Sequence, residues 1–213
     1  LAEVNFNRSA GLLTSIDSAS SGAPEQVKLS VTKRANEMVV NWLTWTEAKQ
    51  PTVQWGVQSG SYGFTAQGST VTFVDPNPLH LIRYIHNALL VDLPPSTLVY
   101  YIVGDSETNV WSKEMVMLTQ GNGKTVQTLG VFGDMGVVNA RTMKALSDEV
   151  DSGAISMVLH LGDYGYNMDE LEGMTGDVFL EELSNITSRV PYQGAPGNHE
   201  QASVDQEDSQ REV

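Results

Sequence analysis

Cysteine is absent from the 213 residues. That excludes disulfides and thiolate-bound metals, and it leaves the redox compartment unread. Basic residues are scarce, 12 Lys and Arg against 26 Asp and Glu, for a formal charge of −14. Such a surface is a poor match for nucleic acid or for an anionic membrane through bulk electrostatics. It would also repel a phosphate ester unless a local cation reversed the field, as a metal centre does. Histidine occurs four times, and none follows His199. No apolar run is long enough to span a bilayer, and no internal repeat is apparent. The remaining composition, 40% hydrophobic and 18% charged, is that of a globular protein. The length admits one large domain or two small ones.

Residues 1–22 are rich in Ser and Ala with little periodicity, and read as a loosely attached arm. The sequence starts at Leu1 rather than Met, which suggests a processed or cloned segment without a signal peptide. Two glycosylation sequons, Asn7-Arg-Ser9 and Asn185-Ile-Thr187, hint at secretion. Residues 23–120 then carry seven short apolar or alternating runs: Val27–Val31, Met38–Leu43, Thr52–Val57, Thr70–Val74, Tyr84–Val91, Val99–Val103 and Val110–Met117. Turn residues separate them at short intervals, which predicts a β-sandwich. Trp42 and Tyr100 or Tyr101 suit its core, and His80 and His86 read as histidines with satisfied hydrogen bonds. Gln120-Gly-Asn-Gly-Lys124 has no apolar anchor and reads as an inter-domain joint.

Residues 124–200 organise the chain. Three turns stand out: Gly133-Asp134-Met135-Gly136, Gly162-Asp163-Tyr164-Gly165-Tyr166 and Gly197-Asn198-His199-Glu200. The first two follow the apolar runs Leu129–Phe132 and Ile155–Leu161, and the third ends the extended segment Val190–Pro196. A helix is predicted between the first two turns, capped by Asn139, with Met143, Leu146 and Val150 on one face and Gly153 as its stop. Phe179, Leu183 and Ile186 mark a second helix. The order β-α-β-α-β predicts parallel strands with right-handed crossovers. All three turns then lie at the carboxyl ends of neighbouring strands, where open α/β sheets bind ligands.

Asp134 and Asp163 are hard anionic donors, Tyr166 offers a phenolate and Asn198 an amide oxygen. One strand-end carboxylate is often only a cap or turn former. Three strand ends, each with an oxygen donor and a flanking glycine, point instead to an oxygen-rich metal site in which one Asp bridges two ions. His160 reads as packed in the sheet.

Gly-Asp-x-Gly, Gly-Asp-x-x-Tyr and Gly-Asn-His-Glu, in this order, resemble the first three metal-binding blocks of the purple acid phosphatases, within the calcineurin-like metallophosphoesterases. Gly136 stands where most of that superfamily has a histidine, and Tyr166 points to the purple branch. Residues 23–120 likewise resemble the fibronectin type III-like domain that precedes the catalytic domain in plant-type members. The resemblance implies an acid phosphatase that hydrolyses phosphomonoesters through a metal-bound hydroxide at a centre of Fe(III) plus Zn, Mn or Fe(II). By the same resemblance Asp134 and Tyr166 bind the ferric ion, Asp163 bridges, and Asn198 binds the divalent ion. His199 would be catalytic, hydrogen-bonding the phosphate, although a cap or turn role also suits it. The implied location is secreted or vacuolar/lysosomal, with no nucleic-acid or membrane partner and a homodimer left open.

The family's later blocks, Val-x-x-His and Gly-His-x-His, supply three more histidine ligands that this sequence does not contain. After Glu200 comes an acidic, polar stretch over residues 201–213, read as a solvated tail. The expectation is an incomplete metallophosphoesterase sandwich with roughly half of the ligand set and weak or absent turnover. Two other readings stay open: a non-catalytic product acting as a binding or regulatory module, and a related phosphodiesterase or nucleotidase.

Overall fold

The computed structural model describes residues 22–121, 126–136, 140–166 and 168–200. Residues 1–21 of the arm, 122–124 of the joint, Asn139 and the 201–213 tail fall outside them. Eight strands come first: β1 Glu25–Val31, β2 Met38–Thr44, β3 Pro51–Gly56, β4 Phe64–Val74, β5 Ile82–Leu90, β6 Leu98–Asp105, β7 Val110–Trp111 and β8 Met115–Leu118. They form one antiparallel sheet in the order β1-β2-β5-β4-β3-β6-β7, with β8 also pairing β6. Alternation dictates which residues turn inward. Met38, Val40 and Trp42 from β2 and Ala88 and Leu90 from β5 share one core with Val53 and Trp55 from β3 and Val99, Tyr101 and Val103 from β6. Of the two tyrosines anticipated for this core, Tyr101 is the fully buried one.

β4 departs from the expected strand. Thr70–Val74 is only its second half, which pairs with β5, whereas Phe64–Gln67 pairs with β3. The change of partner falls at Gly68, where a Cβ would sit 3.0 Å from the Asn87 carbonyl and 3.1 Å from the Trp42 ring. Gly68 therefore permits close approach where a continuous strand changes partner. Val110–Met117, expected as one strand, is two. Ser112 leaves the ladder, its amide donating to the Val103 carbonyl at 2.9 Å while its hydroxyl accepts from the Val103 amide at 3.1 Å.

Three further strands, β9 Leu129–Phe132, β10 Met157–Leu161 and β11 Tyr192–Ala195, alternate with helices α1 (Arg141–Asp151) and α2 (Met174–Thr187). The sheet order is β11-β10-β9 and both pairings are parallel. Leu146 and Val150 from α1 and Phe179, Leu183 and Ile186 from α2 bury against Val158 and Tyr192. The N-cap position of α1 is Ala140, without a side-chain cap, and Asn139, anticipated as the cap, lies outside the described residues. Gly153 ends the helix region at φ +74°. Among the described residues no helix is long and apolar enough to cross a membrane.

Helix α2 also docks on the eight-stranded sheet. The Thr187 hydroxyl donates to the Val27 carbonyl at 2.6 Å, and the Tyr101 hydroxyl donates to the Ser188 carbonyl at 2.5 Å. Beside them Arg83 of β5 bonds both Asp75, at 3.2 Å, and Asp177 of α2, at 2.6 Å. All three side chains are about 5–6% exposed, so each charge depends on the others for solvation. Among the described residues, Asp177→Ala leaves Arg83 with hydrogen bonds to Asp75 and the Glu172 carbonyl and with the Trp45 ring beneath it. The expected cost is about 3 kcal/mol, read from urea unfolding midpoints; a loss below about 1 kcal/mol would refute the fastening.

His86 is fully buried, its ring nitrogens 2.8 Å from the hydroxyls of Thr44 and Thr70. Burial lowers its pKa from 6.5 to about 4. Between those values only the unfolded chain takes up the proton, so stability present above the upper value is lost as pH falls towards the lower. Melting temperature is expected to fall across that window, with a shallower fall in His86→Gln.

Candidate metal centre

Parallel pairing decides where the three turns lie. Phe132 pairs with His160 and Ala195 with Leu161, so the strands β9, β10 and β11 end at one rim. The first turn then runs along the second. Amides of Asp134, Met135 and Gly136 donate in sequence to the carbonyls of Gly162, Asp163 and Tyr164, at 3.1, 3.2 and 2.7 Å. Asp134, Asp163 and Tyr166 all adopt left-handed backbone, at φ +54°, +50° and +51°. Non-glycine residues take that conformation at a cost, and such residues cluster where side chains must be aimed. Gly197 is required beside them, because a Cβ there would collide with the Asp163 carboxylate and amide.

The side chains meet unevenly. The Tyr166 hydroxyl donates to Asp134 Oδ1 at 2.9 Å. Asp163 is 8% exposed, and its Oδ1 accepts the His199 amide at 3.0 Å. The His199 ring stands edge-on to Tyr166, with centroids 4.7 Å apart. Asn198 and Asp134 are exposed, and no hydrogen bond among the described residues ties the Asn198 amide group to the other donors. The structure thus brings Asp134, Tyr166, Asp163 and His199 to one rim, and carries Asn198 there by its backbone alone. Among the described residues no three His, Cys, Asp or Glu side chains converge as a metal-binding group. The donor chemistry, two carboxylates, a phenol and an amide, fits one side of a hard-cation site rather than a closed one.

Two features escape sequence reasoning. Glu200, the last residue of the third turn, accepts the amides of Asp163 at 2.9 Å, Tyr164 at 2.8 Å and Gly197 at 2.6 Å. The only signal available was a carboxylate in a turn with no basic side chain nearby to pair it. The second is Tyr192, whose hydroxyl lies 2.5 Å from Nδ1 of the fully buried His160. His160 also packs against the rings of Phe132 and Tyr164, and burial lowers its pKa. It belongs to the floor beneath the rim.

Burial, the bond to Asp134 and the charges of Asp134, Asp163 and Glu200 push the Tyr166 pKa up to about 12. Without a cation the phenol keeps its proton, which a bound cation would displace. The difference spectrum between the metal-free chain and Tyr166→Phe is expected to place this ionisation near pH 12. Asp134→Asn is expected to lower it; an unchanged midpoint would remove Asp134 as its partner.

Comparison with known proteins reaches beyond the antiparallel sheet. The family model for the purple acid phosphatase N-terminal domain matches residues 24–119. Acid phosphatase type 7 of Mus musculus is 37% identical over 84% of this chain. A probable inactive purple acid phosphatase of Arabidopsis thaliana is 30% identical over 84% of it. The purple acid phosphatase isolated from yellow lupin seeds superposes with a TM-score of 0.70 at 26% identity, over 84% of this chain and 36% of that one. The chain spans 40% of the length of the mouse relative and 33% of the Arabidopsis one. The matches thus run past the antiparallel sheet into the segment that bears the three turns, and over that length the chain is similar to the N-terminal portion of the purple acid phosphatases.

Proposed function

We propose that this chain supplies the first side of a dinuclear phosphatase centre, whose substrates are phosphomonoesters. The observation that carries the reading is the meeting at one rim of Tyr166 with Asp134 and of Asp163 with the His199 backbone. Asp134 and Tyr166 would hold a ferric ion, Asp163 would bridge, and Asn198 would hold a divalent ion. Bound there, such a pair supplies Lewis acidity and neutralises charge on the phosphoryl oxygens. The chain's own residues do the positioning. Asp163 is aimed by the His199 amide, and the His199 ring is braced on Tyr166, where it can donate to a phosphate oxygen.

The eight-stranded sheet, folded around one core, supports the fibronectin type III-like assignment and a structural role for this part. The sequon at Asn185 lies on the exposed side of α2, in keeping with a secreted or vacuolar/lysosomal setting. A second reading has its own support, because one relative is named as probably inactive. In that reading the chain is a binding or regulatory module.

Reconstitution with Fe(III) and Zn separates the two. The first reading expects a visible tyrosinate-to-iron band, lost in Asp163→Ala and in Tyr166→Phe. Turnover of p-nitrophenyl phosphate in mild acid is expected to be very weak, since the family's later histidine blocks are not in this sequence. Absence of the band in the wild-type chain would overturn the phosphatase-centre reading; rapid turnover would overturn the half-site view.

A further inference from the structure

The Glu200 carboxylate accepts backbone amides from both the second and the third turn. Oε2 accepts the amides of Asp163 and Gly197, and Oε1 accepts that of Tyr164. The Gly197 bond closes the third turn on itself, across three residues. The other two reach back 36 and 37 residues, into the turn that bears Asp163. Hydrogen bonds from neutral amides to an ionised carboxylate are among the stronger ones available.

Geometry supplies the reason for so strong a clasp. Asp163 sits at φ +50° and Gly162 at φ +84°, so the second turn holds two consecutive left-handed residues. The third turn lies close against it: a Cβ on Gly162 would be 2.7 Å from Gly197 Cα. That approach puts the His199 amide on Asp163 Oδ1, the contact that aims this carboxylate.

We propose that Glu200 is a positioning residue: by accepting three amides it locks the third turn to the second and thereby orients Asp163 and His199. The benefit to a metal centre rests on the phosphatase reading above; the lock itself does not. The lock requires two acceptor oxygens, which glutamine lacks. A glutamine carbonyl in the place of Oε2 turns its NH2 towards the Tyr164 amide. The opposite rotamer turns that NH2 towards two amides.

The test is residue-resolved amide exchange by NMR on the 213-residue chain without metal, comparing wild type, Glu200→Gln and Glu200→Asp. Glu200→Gln is expected to speed exchange about tenfold or more at Asp163, Tyr164 and Gly197. The His199 amide, which bonds Asp163 rather than Glu200, is expected to speed up with them. The Val158 amide, bonded to the Pro191 carbonyl, is expected to keep its wild-type rate. Glu200→Asp retains both acceptors on a shorter arm and is expected to fall between the two, which settles the matter should the glutamine variant not fold. Wild-type exchange at His199 in a folded variant, or an equal loss of protection at Val158, would overturn the proposal. Calorimetric titration with Fe(III) and Zn forms a separate arm, with at least tenfold weaker binding expected in Glu200→Gln. A wild-type chain that binds neither ion defeats the phosphatase-centre reading, while the exchange arm still decides the lock.

Discussion

The parallel ladder through β10 is the constraint on which the rim depends. With His160 set beside both Phe132 and Gly194, each of the three strands releases its chain at the same level. A slip of one residue would turn every side chain to the opposite face and would separate Asp134 from Tyr166. The ladder is itself held from one side by a core of aliphatic and aromatic side chains. The rim is therefore aimed by hydrophobic packing several residues away from any oxygen donor.

That hierarchy explains what was legible in the sequence. Leu129–Phe132 coincides with its observed strand because a short apolar run with a glycine after it has few other uses, although Leu129 and Val131 on one face stay exposed rather than buried. Phe179, Leu183 and Ile186 fall on one face of α2 because their spacing admits no other arrangement in a helix. The turns were legible for a different reason, since oxygen donors beside glycines repeat at each strand end. What stayed hidden depends on partners far away in sequence. The role of Gly68 shows only when β3 and β5 are both in place, and Arg83 meets a partner in α2 only when the fold brings Asp177 to it. Glu200 belongs with these, because backbone amides as partners leave no trace in residue type.

The electrostatic character of the molecule is consistent with the chemistry at the rim. A chain with 26 acidic residues gains nothing from gathering Asp134, Asp163 and Glu200 in one place unless something compensates them. Backbone amides compensate Glu200 and part of Asp163, and the Tyr166 hydroxyl compensates Asp134. Each of these partners is a neutral donor, so none of them cancels the negative charge gathered at the rim.

Helix α2 belongs to both halves of the molecule. One side carries Phe179, Leu183 and Ile186 into the core beneath the parallel strands, while Asp177 and Thr187 fasten it to Arg83 and Val27 of the antiparallel sheet. Unwinding it would uncover the first core and strand a guanidinium in the second. A chain that looks modular along its length is thus built to melt as a single cooperative block, with one calorimetric peak where two domains would give two.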